Sequence, residues 1–213
     1  MKKILLAATA LAALAFAGSA SAEGAVSYNI GVTSDYVFRG WTQTDGSPAI
    51  QGGVDYGNGI FYAGAWASNV DFADYEVDLY AGVKPVVGNY TFDVGVVTYQ
   101  YGDELLNATE AKAAVTYALP KGSIGAAYYY NIDFDDTAYY EINGAYPLTD
   151  KLTLSGAVGE QELGGAKYSV GNIGVTYAFN STLGLDARFS DTNIPEWFKP
   201  SGPRLAVTLK AAF

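Results

Sequence analysis

The chain ends on the stretch Leu205-Ala206-Val207-Thr208-Leu209-Lys210-Ala211-Ala212-Phe213. Its odd positions are apolar, whereas its even positions include Thr208 and Lys210, and this period of two indicates a β-strand with two different faces. A final strand that stops on an aromatic residue is similar to the C-terminal signal by which outer-membrane barrels are recognised. The stretch therefore predicts that Phe213 is an assembly signal, read by the outer-membrane barrel assembly machinery through the last strand.

The other end of the chain indicates export. Lys2 and Lys3 form a short basic region, an apolar stretch covers residues 4–17, and Ala20-Ser21-Ala22 has the small residues of a cleavage site. These features are typical of a secretory signal peptide, and the apolar stretch is too short to span a membrane as a helix. We expect a signal peptide over residues 1–22 and a single mature domain over residues 23–213, located in the cell outer membrane.

The alternation of the last strand recurs along the mature chain about twelve times. In the first instance Tyr28, Ile30, Val32, Tyr36 and Phe38 share an apolar face, whereas Asp35 and Arg39 lie on the opposite, mostly polar face. A slip of the alternation near Gly171 predicts a β-bulge. Short turns alternate with longer links, as in up-and-down barrels. The predicted short turns are 57–59, 84–89, 120–122, 147–151 and 180–181, and the predicted longer links are 41–48, 70–74, 101–109, 133–137, 160–166 and 190–203.

This pattern predicts an all-β fold, an antiparallel up-and-down transmembrane β-barrel of about 12 strands with both termini on the short-turn rim. In such a barrel the apolar face meets lipid and the polar face lines the lumen. Glycine, alanine, serine and threonine accompany the charges on the polar face, which suits a narrow interior. Aromatic residues near the predicted strand ends indicate interfacial girdles: Tyr36, Phe38, Trp41, Tyr56, Phe61, Tyr62, Tyr90, Tyr117, Tyr146 and Phe179. A soluble periplasmic β-protein remains an alternative.

Charged residues on the lumen face are the candidate site, because buried charges need partners or water. They form either a paired network that fills the interior or a constriction whose acidic excess favours cations. Asp35 and Arg39, about 13 Å apart on one extended strand, are each expected to meet a charge on another strand, with Glu76 and Asp78 as partners for Arg39 or Arg188. The predicted residues are Asp35, Arg39, Asp55, Glu76, Asp78, Asp93, Glu141, Asp186 and Arg188.

Composition excludes several classes of function. The chain has no histidine and no cysteine, so histidine-based catalysis and a histidine or cysteine metal site are both impossible. The formal charge of −10 makes nucleic acid an unsuitable partner. We predict no catalytic residue, cofactor or metal ligand. The predicted partners are outer-membrane lipid, the assembly machinery and small polar solutes or ions.

Residues 34–84 resemble a known family. The markers are Ser34-Asp35-Tyr36-Val37-Phe38-Arg39-Gly40, Gln43-Thr44-Asp45, Pro48-Ala49-Ile50-Gln51-Gly52-Gly53, Phe61-Tyr62-Ala63-Gly64, Trp66-Ala67-Ser68-Asn69-Val70 and Glu76-Val77-Asp78-Leu79-Tyr80-Ala81-Gly82. They are similar to those of the proteobacterial TorF-type porins, also known as the Gcw_chp family. The resemblance implies an outer-membrane barrel and a pore. The expected function is passive diffusion of small hydrophilic solutes or ions, leaning towards cations. The alternative is a non-conducting structural or adhesive barrel whose extracellular loops bind a ligand.

Overall fold

The computed structural model describes residues 24–195 and 200–213, so the predicted signal peptide over residues 1–22 lies outside the described residues. Within these ranges twelve strands form one closed antiparallel barrel, which confirms the predicted fold class and strand number. The barrel strands are β1 (Ala25–Thr33), β2 (Ala49–Asn58), β3 (Phe61–Ser68), β4 (Glu76–Val83), β5 (Tyr90–Tyr101), β6 (Ala108–Ala118), β7 (Ser123–Asn131), β8 (Thr137–Pro147), β9 (Leu152–Leu163), β10 (Ala166–Ala178), β11 (Leu183–Thr192) and β12 (Arg204–Ala212).

The first and last strands close the barrel. Strand β1 pairs with β2 on one side and with β12 on the other. At the seam, the backbone N–H of Tyr28 donates to the carbonyl of Phe213 at 3.0 Å, and the N–H of Phe213 donates to the carbonyl of Tyr28 at 2.9 Å. Closure satisfies the backbone groups that an open sheet would leave at its edges.

Alternation along each strand separates an apolar exterior from a polar interior. Ile30, Ile142 and Ile173 on the outer face are 54%, 58% and 55% exposed. Their strand neighbours point inwards, and the buried inward residues include charged and polar ones such as Glu110, Gln161 and Thr176. An apolar surface that surrounds a whole barrel far exceeds the isolated patches of soluble monomers. The exterior therefore suits hydrocarbon rather than water.

The two rims of the barrel differ in their connections. The start of β1, the end of β12 and the short turns, such as residues 59–60 and 119–122, lie at one rim. We call this the short-turn rim and the opposite one the long-loop rim. The long-loop rim carries the short 3₁₀ helix Glu104–Leu106. Among the described residues, no helix has the length and apolar character needed to cross a membrane.

The predicted link over residues 160–166 is wrong. Strands β9 and β10 continue through this range and pair as far as Leu163 and Ala166. Only Gly164 and Gly165 form the turn, with φ of 55° and 92°. Positive φ at both central residues is the geometry of a tight hairpin turn, and glycine adopts it without strain.

The predicted bulge near Gly171 is also wrong, since β10 pairs in unbroken register with β9 and with β11. The sequence pattern shifts there because Tyr168 and Val170 are apolar residues on the inner face. Both are buried, and Trp41 stacks on Tyr168 with ring centroids 5.6 Å apart. The apparent slip therefore reports an apolar patch inside the barrel.

The predicted first strand is too long. Strand β1 ends at Thr33, and residues 34–48, which we call the inward segment, fold into the lumen. Tyr36 and Phe38 are consequently buried inside the barrel, Trp41 stacks on the inward-facing Tyr168, and Tyr62 also faces inwards. Their assignment to an aromatic girdle is wrong. The girdle residues exposed near the short-turn rim are Tyr56, Phe61, Tyr90, Tyr146 and Phe179.

A charged substitution on the outer face tests which side chains of the barrel wall point outwards. Ile142 lies near the middle of β8 and faces outwards, whereas its neighbour Asn143 faces the lumen. We expect Ile142→Lys to lower the free energy of unfolding by about 2–4 kcal/mol in phospholipid vesicles, because lysine is unfavourable in hydrocarbon. Asn143→Lys is the matched control with a small effect. Equal losses for the two variants in urea unfolding would contradict the outward assignment.

Candidate functional site

The inward segment places an arginine at the tip of a small hairpin inside the barrel. Val37–Phe38 pair with Trp41–Thr42, and Arg39 and Gly40 form the turn with φ of 42° and 82°. Gly40 is also packed closely: a Cβ there would lie 2.2 Å from Cγ2 of Thr192 on β11. This turn fixes where the Arg39 side chain starts.

The Arg39 guanidinium is enclosed by partners from the barrel wall. Nη1 and Nη2 donate to the two carboxylate oxygens of Glu110 at 2.9 and 2.8 Å, and Nη1 also donates to Oε1 of Gln161 at 2.8 Å. Both members of the ion pair are almost completely buried, with side chains 3% and 2% exposed. The guanidinium carbon lies 4.2 Å from the ring centre of Tyr139 and 5.0 Å from that of Tyr129.

The surroundings of Arg39 favour its charged form. Burial alone disfavours the charged guanidinium, but the facing Glu110 carboxylate outweighs that effect, and the pKa of Arg39 lies above its ordinary value. Glu110 is held in turn by the hydroxyl of Tyr99, which donates to its Oε2 at 2.8 Å. The pair is therefore hydrogen-bonded on both sides, to Gln161 through Arg39 and to Tyr99 through Glu110.

Asp35 anchors the base of the same segment. Its carboxylate accepts hydrogen bonds from Thr42 Oγ1 at 2.5 Å and Thr44 Oγ1 at 3.3 Å, and it pairs with Arg204 at the start of β12, 3.2 Å away. These contacts turn the chain back on itself after β1. Asp35 and Arg39 thus lie on a folded segment rather than along one extended strand, although each meets a charge on another strand as predicted.

Glu76 and Asp78 lie on β4 beside the inward segment and are both fully buried. The hydroxyl of Tyr101 donates to Oε1 of Glu76 at 3.1 Å. Arg39, for which Glu76 and Asp78 are the predicted partners, pairs with Glu110, which lies outside the predicted set. Around this level an apolar cluster fills the lumen, formed by Tyr36, Phe38, Val97, Tyr99 and Tyr101 with Trp66 and Phe72 packed against it.

Towards the short-turn rim, a large side chain lies along the wall instead of across the lumen. Tyr80 on β4 crosses Gly64 on β3 and donates to Oδ1 of Asp55 on β2 at 2.6 Å. A Cβ at Gly64 would lie 2.5 Å from the Tyr80 ring. Because Gly64 has no side chain, the Tyr80 ring can lie against the wall at this position.

Tyr80 thus bridges three strands, and a second tyrosine forms a bridge of the same kind. Tyr62 on β3 crosses Gly82 on β4 and donates to Oδ1 of Asp93 on β5 at 2.7 Å. Asp93 also pairs with Lys112 at 2.7 Å and with Lys84 at 3.6 Å. One carboxylate thus contacts three side chains, those of Tyr62, Lys112 and Lys84.

A third bridge uses an arginine. Arg188 on β11 crosses Gly174 on β10 and donates to Oγ of Ser155 on β9 at 2.8 Å. It also donates to Asn172 at 2.7 Å and pairs with Asp186 at 3.2 Å. Arg188 therefore pairs with Asp186 on its own strand and not with the predicted Glu76 or Asp78.

Glu141 completes the predicted set. Its carboxylate accepts a hydrogen bond from the Tyr139 hydroxyl at 2.9 Å and from the Asn143 amide at 2.8 Å. Among the described residues, Glu141 and Asp55 have hydroxyl or amide donors but no ion pair. Neither carboxylate has a lysine or arginine nitrogen within 4 Å among the described residues, although Asp55 interacts electrostatically with Lys210 and Glu141 with Lys112.

The predicted residues fall into two layers. Asp35 and Arg39 belong to the inward segment and Glu76 and Asp78 lie beside it, whereas the others line the wall towards the short-turn rim. The sequence prediction missed Glu110 and Gln161. Extending the alternation of β6 by one step from Lys112 gives Glu110, and extending β9 past Gly159 gives Gln161, so the signal was present in the pattern.

Loss of the Glu110 carboxylate tests the role of the pair. We expect Glu110→Gln to lower the free energy of unfolding by about 3–5 kcal/mol, because it leaves the Arg39 charge buried without a counter-ion. The double variant Arg39→Gln with Glu110→Gln removes both charges and should lose less than Glu110→Gln alone. Urea unfolding of the vesicle-inserted barrel measures all three proteins. If the free energy of unfolding of Glu110→Gln lies within about 1 kcal/mol of the wild-type value, the ion pair does not stabilise the barrel.

A closed barrel with an apolar exterior and a charged lumen is a transmembrane β-barrel. Within that class the sequence defines the group more closely. The profile of the Gcw_chp family, described as bacterial protein of unknown function, matches residues 17–212. The chain belongs to the Gcw_chp family.

Solved structures with the same fold include two porins. The KdgM porin matches with a TM-score of 0.64 at 9% identity, covering 90% of this chain and 99% of that one. A KdgM structure in complex with disordered oligogalacturonate gives 0.65 at the same identity and coverage. The NanC porin gives 0.62 at 9% identity, covering 89% of this chain and 99% of that one. No curated protein sequence matches the chain. At this identity the similarity concerns the fold.

Proposed function

We propose that this chain is an outer-membrane porin-like channel rather than an enzyme, and that it passes small hydrophilic solutes or ions by passive diffusion. The observation that carries the proposal is the flat arrangement of Tyr80, Tyr62 and Arg188 across wall glycines. A barrel whose interior serves only as a core is filled by its side chains. Here Tyr80, Tyr62 and Arg188 lie against the barrel wall instead.

Location in the outer membrane is part of the proposal. It is supported by the apolar exterior, the predicted signal peptide over residues 1–22, and the resemblance of residues 34–84 to TorF-type porins. Lipid would cover the outer face, and the assembly machinery would read the last strand through Phe213, which is 71% exposed at the seam. The formal charge of −10 disfavours nucleic acid as a partner.

We propose a preference for cations, based on the lumen carboxylates that lack a paired cation. Neutralising Asp55 and Glu141 together should shift the reversal potential in a salt gradient towards that of an anion-preferring pore. The control is the pair Asp103→Asn and Glu104→Gln, which removes two charges from the long-loop rim. Planar-bilayer recording measures both variants. A reversal potential unchanged by the lumen variant, or equally changed by the control, would contradict the preference.

Crowding at a wall glycine tests whether the axis is free. Gly64→Ala should lower single-channel conductance, because the new methyl group forces the Tyr80 ring off the wall and into the lumen. Gly57→Ala is a matched control on the same inner face near the short-turn rim, where a Cβ meets nothing within 4 Å. Bilayer recording should show a loss for the first variant and none for the second. Equal conductance of all three proteins would contradict the proposal.

A second candidate is a non-conducting barrel whose loops bind a ligand outside the cell. The filling of the long-loop half by the inward segment favours it. Absence of any ion current from a correctly folded, bilayer-inserted barrel would support this candidate and overturn the channel.

A further inference from the structure

We propose that the pocket around the Arg39 side chain is a built binding site for small solutes that carry a guanidinium group, and that Arg39 occupies it as an internal ligand. Its effect on conductance rests on the proposed channel function, whereas binding itself does not. We call the pocket the guanidinium site and define it by Tyr99, Glu110, Tyr129, Tyr139 and Gln161.

The guanidinium site belongs to the barrel wall and not to the segment that fills it. Its five residues come from five consecutive strands, β5 to β9. The inward segment contributes the ligand and one further aromatic face, that of Phe38, 4.7 Å from the guanidinium carbon. Removal of the Arg39 side chain should therefore leave the polar partners in place.

Hydrogen bonds within the wall orient these partners without help from Arg39. The Gln161 side-chain amide donates to the carbonyls of Ala138 at 3.1 Å and Glu162 at 3.0 Å, which directs its Oε1 towards the site. The Tyr99 hydroxyl fixes the Glu110 carboxylate at 2.8 Å. A site held in this way before the ligand arrives loses little ordering entropy on binding.

The shape of the site matches a planar guanidinium better than an ammonium group. Glu110 accepts two parallel hydrogen bonds, which requires two N–H donors side by side. Gln161 accepts a third hydrogen bond, from the nitrogen that also bonds Oε1 of Glu110. Aromatic rings face the cation, an arrangement that favours the delocalised guanidinium.

Arg39 competes with any free ligand because it is tethered to the barrel, which gives it a high effective concentration. A solute should therefore bind weakly to the wild-type barrel and more strongly when the Arg39 side chain is absent. In the wild type, a solute that displaces Arg39 would release the tip of the inward segment. Asp35 and Arg204 would still hold the base of the segment.

The experiment uses the full barrel with Arg39→Ala and methylguanidinium as the probe. Isothermal titration in detergent should show saturable binding to the variant, at least about tenfold tighter than methylammonium binds and about tenfold tighter than methylguanidinium binds to the wild type. Urea, a neutral molecule of the same shape, should not bind. Adding Glu110→Gln to Arg39→Ala should abolish binding. If Arg39→Ala does not fold, Arg39→Leu keeps more of the packing and is used instead.

Equal binding of methylguanidinium and methylammonium, or binding that survives Glu110→Gln, would overturn the inference. The channel proposal is tested separately by recording the same variant in bilayers. Conductance that falls on addition of methylguanidinium to the Arg39→Ala variant would support both proposals. Methylguanidinium binding without any conductance would support the guanidinium site and contradict the channel. Conductance without methylguanidinium binding would support the channel and contradict the site.

Discussion

The buried ion pair between Arg39 and Glu110 joins the inward segment to the barrel wall, and the long-loop half of the molecule depends on it. Removing two charges from water is unfavourable, and their attraction offsets this only with good geometry and with the remaining hydrogen-bonding groups satisfied. Both conditions are met here, since the carboxylate is also bonded by Tyr99 and the guanidinium by Gln161. The apolar cluster of Tyr36 and Phe38 packs around the segment thus fixed.

The opposite half of the lumen follows a different rule. There the large polar side chains bridge three strands through a glycine, as Tyr80 does over Gly64 to Asp55. Each bridge satisfies a carboxylate with a side chain that lies against the wall. The strands alternate in the same way in both halves of the barrel. The two halves differ because residues 34–48 fold into the long-loop half, whereas side chains that lie along the wall line the short-turn half.

Strand number, up-and-down topology and the outward face could be predicted from sequence because each depends on a local alternation of residue types. The inward segment could not, since Tyr36 and Phe38 continue the apolar alternation of β1 and only tertiary contacts of Asp35 and Arg39 turn them inside. Glu110 and Gln161 escape the prediction because the sequence pattern starts β6 too late and ends β9 too early. The pairing of lumen charges depends on the spatial neighbours of each strand, which one sequence does not specify.

Hydrogen exchange of backbone amides in residues 34–48, measured on the wild-type barrel in lipid vesicles, tests most directly whether the segment is held inside the lumen. Several of these amides are hydrogen-bonded, including those of Thr42 and Gln43 at 2.9 and 2.7 Å. The account predicts exchange at least about a hundredfold slower than in an unstructured chain. Exchange of the whole segment at the unstructured rate would contradict it.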